Sequence, residues 1–145
     1  MSDQGGIVTE RQRPLVLIAD DDDDILELVR VRLARSGFDL HVAHDGAEAL
    51  ALARKHVPDL ALLDVSMPGL DGYEVAAALR RDPATAQVRV VMLTARAQSR
   101  DVAHGFAAGA DDYITKPFSP QALQERVTEL LSPAESRSLR PVPEP

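Results

Sequence analysis

The 145-residue chain contains no cysteine. That excludes disulfides, thiolate metal sites and thiol catalysis in one step. Long apolar runs are also missing, and none approaches the roughly 20 residues that a membrane-spanning helix needs. The opening stretch MSDQGGIVTERQRP has no apolar centre of the signal-peptide kind, so the expected compartment is the cytoplasm. Basic residues are scarce: 16 Lys and Arg face 23 Asp and Glu, for a formal net charge of -7. Both ends are balanced (Asp3 and Glu10 against Arg11 and Arg13, Glu135 and Glu144 against Arg137 and Arg140), so the deficit sits in the central part. Direct nucleic-acid binding is therefore not expected, because phosphate contacts need Lys and Arg. Acidity gathered at one place suits a cation instead. The four histidines, His41, His44, His56 and His104, lack metal-ligand spacing and read as surface residues.

What is present is an alternation of two periods. Leu15–Ala19, Asp39–Ala43, Asp59–Leu63, Val88–Leu93 and Asp112–Thr115 are short and rich in Val, Leu and Ile, the pattern of strands buried on both faces. Helical stretches separate them. Asp24–Arg35 carries Ile25, Leu28, Val29 and Leu33 on one side and stops at Gly37. Ala47–Lys55, Tyr73–Arg80 and Arg100–Ala107 follow, and Pro120 opens Gln121–Leu131, with Leu123, Val127, Leu130 and Leu131 inward. Five strand–helix units in strict alternation predict an α/β domain with a doubly wound, five-stranded parallel sheet. The natural strand order for this length is 2-1-3-4-5, with a crevice beside strands 1 and 3. Residues 14–131 make this one domain. Residues 1–13 and the proline-rich 132–145 are expected to be flexible, the latter as a tail or linker.

Four of the strands end in polar residues of one chemical set. LVLIA runs into Asp20 and Asp21, LALL into Asp64, VRVVML into Thr94, and DDYIT into Lys116. Carboxyl ends of parallel strands converge on one crevice, so these side chains are expected to meet there. Asp23 and Asp24 fit a solvated helix start, where negative charge meets the helix dipole. Asp20 and Asp21 end a buried strand, where like charges raise one another's pKa unless something positive lies between them. Mg²⁺, which prefers oxygen ligands, is the expected occupant. A calcium loop counted from Asp20 needs Gly and Glu at places that hold Ile25 and Val31. A carboxylate such as Asp64 is able to attack a phosphoryl donor, with Lys116, the cation and Thr94 supplying positive charge and a hydroxyl. Lys116-Pro117 reads either as a plain strand terminator or as a cis peptide in a tight turn that aims the ammonium back toward Asp64.

The segments LVLIADDDDDILELV, LLDVSMPGLDGYEV, VVMLTA and GADDYITKPFS stand in an order and spacing that closely resemble the receiver domain of bacterial two-component response regulators. The resemblance runs from about Pro14 to Leu131. It implies the (βα)5 flavodoxin-like receiver fold, and it implies a switch rather than a classical enzyme, one that catalyses its own phosphorylation and dephosphorylation. It implies Asp64 as phosphoacceptor and a histidine kinase or phosphotransfer protein as donor. Asp21, Asp64 and the backbone carbonyl of Ser66 would ligate Mg²⁺, with Asp20 acting through water. Thr94 and Lys116 would contact the phosphoryl oxygens, and Tyr113 with Thr94 would form the switch. A downstream protein or an output domain would dock on the face of the fourth helix, fifth strand and fifth helix. Three departures stand out: Asp23 where the family often has Pro, the small Ser66 two places after the acceptor, and Val102 with Ala122 where dimerising members often pair a base with an acid. Asp112 and Arg126 remain as a pair. Arg96 is long and cationic enough to lie across a phosphoryl group and slow its hydrolysis.

Two other readings compete. An aspartate-nucleophile phosphohydrolase wants Asp-x-Asp followed by Thr or Val on the first strand, but Asp20-x-Asp22 is followed by Asp23 and Asp24. A degenerate receiver used only for docking would lack some key positions, whereas here all are filled.

Overall fold

The computed structural model describes residues 13–95 and 108–132. The expected helix at Arg100–Ala107, together with Arg96, Val102, His104, Phe106 and the two terminal segments, lies outside the described residues. Among the described residues, nine elements follow in chain order: β1 (Leu15–Ala19), α1 (Asp23–Arg35), β2 (Asp39–Ala43), α2 (Gly46–His56), β3 (Leu60–Asp64), α3 (Gly72–Arg81), β4 (Arg89–Thr94), β5 (Asp112–Thr115) and α4 (Pro120–Leu130). All strand pairs are parallel and the sheet order is β2-β1-β3-β4-β5, the order expected from the alternation.

Alternate residues of a strand face opposite sides, so the central strands feed two cores. Leu17, Ala61, Leu63 and Met92 pack with Ala49, Ala53, Val75 and Leu79 of α2 and α3. Ile18, Leu62, Val91 and Leu93 pack with Leu26, Val29 and Leu33 of α1 and with Leu123, Val127 and Leu130 of α4. Every residue of β1 and β3 is buried. This explains why those strands are apolar without alternation.

The structure departs from the pattern reading in three places. β2 and β5 are edge strands and are only partly buried, because each has a neighbour on one side alone. Leu28 is 49% exposed rather than inward. The buried stripe of α1 is Leu26, Val29 and Leu33, and at 100° per residue Leu28 lies roughly 130° away from it. β3 and β4 also begin and end one residue later than the pattern suggests, so Asp64 and Thr94 are the last residues of their strands rather than the residues beyond.

Much of the local acidity serves helix starts. Asp22 caps α1 by accepting from the N–H groups of Asp24 and Ile25, at 2.9 and 3.3 Å. Asp45 caps α2 through the Glu48 N–H at 2.8 Å, and Asp71 forms a reciprocal capping box with Glu74 at the start of α3. Each such cap contributes typically ~1 kcal/mol. On the other edge, Arg80 of α3 ties the chain before β5 to the sheet. Its guanidinium donates to the Gly109 carbonyl at 2.7 and 3.0 Å, to the Ala86 carbonyl at 2.9 Å and to Asp111 Oδ2 at 2.8 Å. No periodicity in the sequence marks Arg80 for this role.

Candidate phosphoacceptor and cation site

The carboxyl ends of β1, β3, β4 and β5 lie side by side, and each delivers one element of the site. Asp20 follows β1 and is fully buried; its backbone N–H donates to the Ala43 carbonyl of β2 at 3.1 Å, which fixes the turn. Asp20 Oδ1 accepts the Asp22 N–H at 2.9 Å. Asp64 and Thr94 are each 5% exposed. Asp21 is exposed and stands at the rim. Lys116 follows β5, its peptide bond to Pro117 is cis, and its Nζ lies 2.9 Å from Asp20 Oδ2 and 3.3 Å from Asp64 Oδ1. The Ser66 N–H donates to Asp64 Oδ1 at 3.3 Å.

These contacts set the protonation chemistry. Burial pushes the Asp64 carboxyl up to about 6, and the Asp20 charge pushes the same way; Lys116 and the Ser66 N–H only partly offset them. Burial alone would lower the Lys116 ammonium, but Asp20 and Asp64 outweigh it and hold its pKa above the usual lysine value. One ammonium therefore serves two buried carboxylates, leaving an excess of negative charge.

A cation fits that excess. One carboxylate oxygen from each of Asp20, Asp21 and Asp64 lies within 4.8 Å of the others. Asp20 Oδ2 is buried and makes an ion pair with Lys116, but the ammonium does not approach it along a hydrogen-bonding direction. An all-oxygen donor set with one incompletely satisfied buried oxygen suits a hard divalent ion and not a thiophilic one.

Of the residues expected to converge, Asp20, Asp21, Asp64 and Lys116 do so by direct distance. Thr94 ends the strand beside Asp64, one position beyond Leu93, which is Asp64's register partner. Tyr113 pairs with Met92 in register and is half-buried against the α2–α3 core. Asp112 and Arg126 do form an ion pair, and Arg126 also reaches Glu129 at 2.8 Å. Among the described residues no histidine joins the acidic group: His44 pairs with Asp23 and Glu48, and His41 stacks on His56 with ring centroids 4.1 Å apart. Nothing in the periodicity of the sequence singles out Gly72. A Cβ there would sit 2.5 Å from the Asp64 carbonyl oxygen, so α3 reaches the acceptor strand this closely only with glycine.

A family described as "Response regulator receiver domain" matches residues 16–128. The chain belongs to the response regulator receiver family. Among curated relatives, it is 47% identical over 118 residues to the DNA-binding dual master transcriptional regulator RpaA of Synechocystis, covering 81% of this chain and 49% of that protein. It is 43% identical over 136 residues to the DNA-binding response regulator MtrA of Mycolicibacterium smegmatis, covering 90% of this chain and 58% of that one. The receiver thus spans about half the length of these relatives. Among solved structures, it superposes on the chemotaxis response regulator CheY4 of Vibrio cholerae with a TM-score of 0.79 at 32% identity, covering 83% of this chain and 100% of that one. The strand order and helical layers are those of a CheY-like, flavodoxin-like receiver. No helix among the described residues is long and apolar enough to cross a membrane.

Proposed function

We propose that residues 14–131 act as a Mg²⁺-dependent phosphoacceptor unit, with Asp64 receiving the phosphoryl group from a phosphohistidine of a histidine kinase or phosphotransfer protein. The observation that supports this most is the Lys116 ammonium held between Asp20 and Asp64, beside three converging carboxylates. An Asp64 oxygen attacks phosphorus, a P–O bond forms, the P–N bond breaks, and the imidazole departs with its electron pair and takes up a proton. Negative charge grows on the phosphoryl oxygens, where the Lys116 ammonium and the Thr94 hydroxyl stabilise it. Attack of water on phosphorus later releases inorganic phosphate and restores the carboxylate. Asp21, Asp64 and the Ser66 carbonyl would hold Mg²⁺, with Asp20 acting through water; when bound, the ion neutralises charge on both acceptor and donor.

The test is incubation with acetyl phosphate, with and without Mg²⁺, read by intact mass. One phosphoryl increment that needs Mg²⁺ and is removed by hydroxylamine is expected. Its absence would sink the proposal.

RpaA and MtrA are named as DNA-binding proteins. For this receiver, with its net charge of -7, we propose protein partners instead of direct DNA contact. Output would run through β5, α4 and the segment preceding β5, where Ala122 is exposed and Tyr113 half-buried.

Two expected results follow from the roles assigned here. Asp21→Ala should fold normally, since Asp21 is exposed, and should weaken Mg²⁺ binding about 10-fold or more in a competition titration; unchanged affinity would remove Asp21 from the ligand set. Thr94→Ala should leave labelling of Asp64 within a few-fold of normal. It should also blunt the change in amide exchange over residues 100–126 that a phosphoryl mimic produces in the wild type. A wild type without any change there would place the output surface elsewhere.

A further inference from the structure

The loop that follows Asp64 is held in place by a neighbouring helix. Gly46, the first residue of α2, packs directly on the backbone of Leu70. A Cβ built on Gly46 would lie 2.1 Å from the Leu70 carbonyl oxygen, 2.6 Å from its Cβ and 2.8 Å from its carbonyl carbon. Gly46 has no positive φ, so the glycine is needed for closeness and not for backbone conformation. The far end of the same loop is pinned where the Gly72 N–H donates to the Val65 carbonyl at 3.1 Å. Between these two points lie Ser66 and the buried Met67.

The chain just before α2 also reaches the first turn of α1. The His44 ring nitrogens lie 3.1 Å from Glu48 Oε1, within α2, and 3.5 Å from Asp23 Oδ1, beside the Asp20–Asp22 turn. The segment from His44 to Gly46 therefore touches the loop after Asp64 through Leu70 and the first turn of α1 through Asp23.

The geometry points to Gly46 as a positioning residue for the cation site, setting the depth at which the Ser66 carbonyl is presented. This rests on the Mg²⁺ site proposed above. Any real Cβ keeps at least 3.0 Å from a backbone oxygen, so a methyl at Gly46 forces the Leu70 backbone and α2 apart by about 1 Å. Mg²⁺ demands near-ideal octahedral geometry at about 2.0–2.1 Å, whereas Ca²⁺ accepts flexible arrangements at about 2.3–2.6 Å. Displacing one carbonyl should therefore penalise the smaller ion selectively.

The test measures dissociation constants of Mg²⁺ and Ca²⁺ for the wild-type chain and for Gly46→Ala, with a thermal melt of each. Gly46→Ala should weaken Mg²⁺ binding about 10-fold or more while changing Ca²⁺ binding less than about threefold. A general loss of structure would lower both affinities together. Equal loss of both ions, or loss of neither, overturns the inference and leaves the proposed function standing. Failure of the wild type to bind Mg²⁺ overturns the proposed site and this inference with it. Should Gly46→Ala not fold, Leu70→Ala takes its place, because it removes the side chain by which the loop rests on the core without adding a clash. The same selective loss of Mg²⁺ is expected of it, and its absence is equally decisive.

Discussion

Asp64→Asn is expected to eliminate phosphoryl uptake while making the metal-free protein more stable. The amide keeps the shape of the carboxylate and its ability to accept the Ser66 N–H, but it is not a nucleophile. Labelling by acetyl phosphate with Mg²⁺ should fall by ~1000-fold or to background, since no other group here replaces the attacking oxygen. Equal labelling of variant and wild type would end the assignment. The stability effect has a defined sign. Burial first, and Asp20 second, raise the Asp64 carboxyl from 3.8 to about 6. The folded state therefore binds this proton more tightly than the unfolded state, and stability is lost as pH rises through that window. Above it the wild type carries the full penalty, and the neutral amide does not. At pH 7.5 without divalent ions, Asp64→Asn should be more stable by on the order of 1–3 kcal/mol in urea unfolding. The gain should shrink toward pH 4. A gain that is the same at both pH values would mean that it does not come from the carboxylate charge.

Lys116→Met is expected to be the most destabilising single change at the site. Lys116 is mostly buried, and its ammonium serves both Asp20 and Asp64. Methionine retains the apolar stem but leaves two buried carboxylates facing each other. Removing one partner of a buried ion pair costs about 3–5 kcal/mol, because the remaining charge is uncompensated. Two features identify this origin. The Asp64 carboxyl should rise further above about 6, so the loss should diminish in acid as Asp64 takes up a proton. Mg²⁺ should recover part of the loss, because the ion supplies positive charge at the same place. In the wild type the Lys116 ammonium titrates in the same sense as Asp64, but far higher in pH. Its pKa is raised above the lysine value, so the ammonium keeps its charge below about 10.5, and the stabilisation that this charge gives fades as pH climbs through the raised value. Equal urea midpoints for wild type and variant at pH 7.5 would show that the ammonium does not hold the carboxylates together.

The alternating periods, with Asp20, Asp64, Thr94 and Lys116 at strand ends, were enough to determine the fold, the strand order and the convergence of the site. Buried parallel strands must be apolar throughout, and connection rules leave few topologies, so the chemistry at strand ends has little choice of where to go. Periodicity says less wherever burial depends on a neighbour in space. Leu28 reads as core because it is leucine on an amphipathic helix, yet α1 sits on the sheet by the Leu26–Val29–Leu33 stripe and leaves it outside. Asp39–Ala43 reads as a buried strand, but its place at the end of the order leaves it half-exposed. Sequence does set Asp20 and Asp21, at the end of a buried strand, apart from Asp23 and Asp24 at a helix start, but it does not say which acid is buried and which caps the helix. Tertiary structure does so: Asp20 is buried against Lys116, Asp21 stands at the rim, Asp22 caps α1, and Asp23 with Asp24 lies exposed in its first turn. The contacts of Gly46 with Leu70, and of Gly72 with the Asp64 carbonyl, are likewise decided only in three dimensions. A glycine chosen for close approach carries no mark in the chain until the backbone it touches has been folded against it.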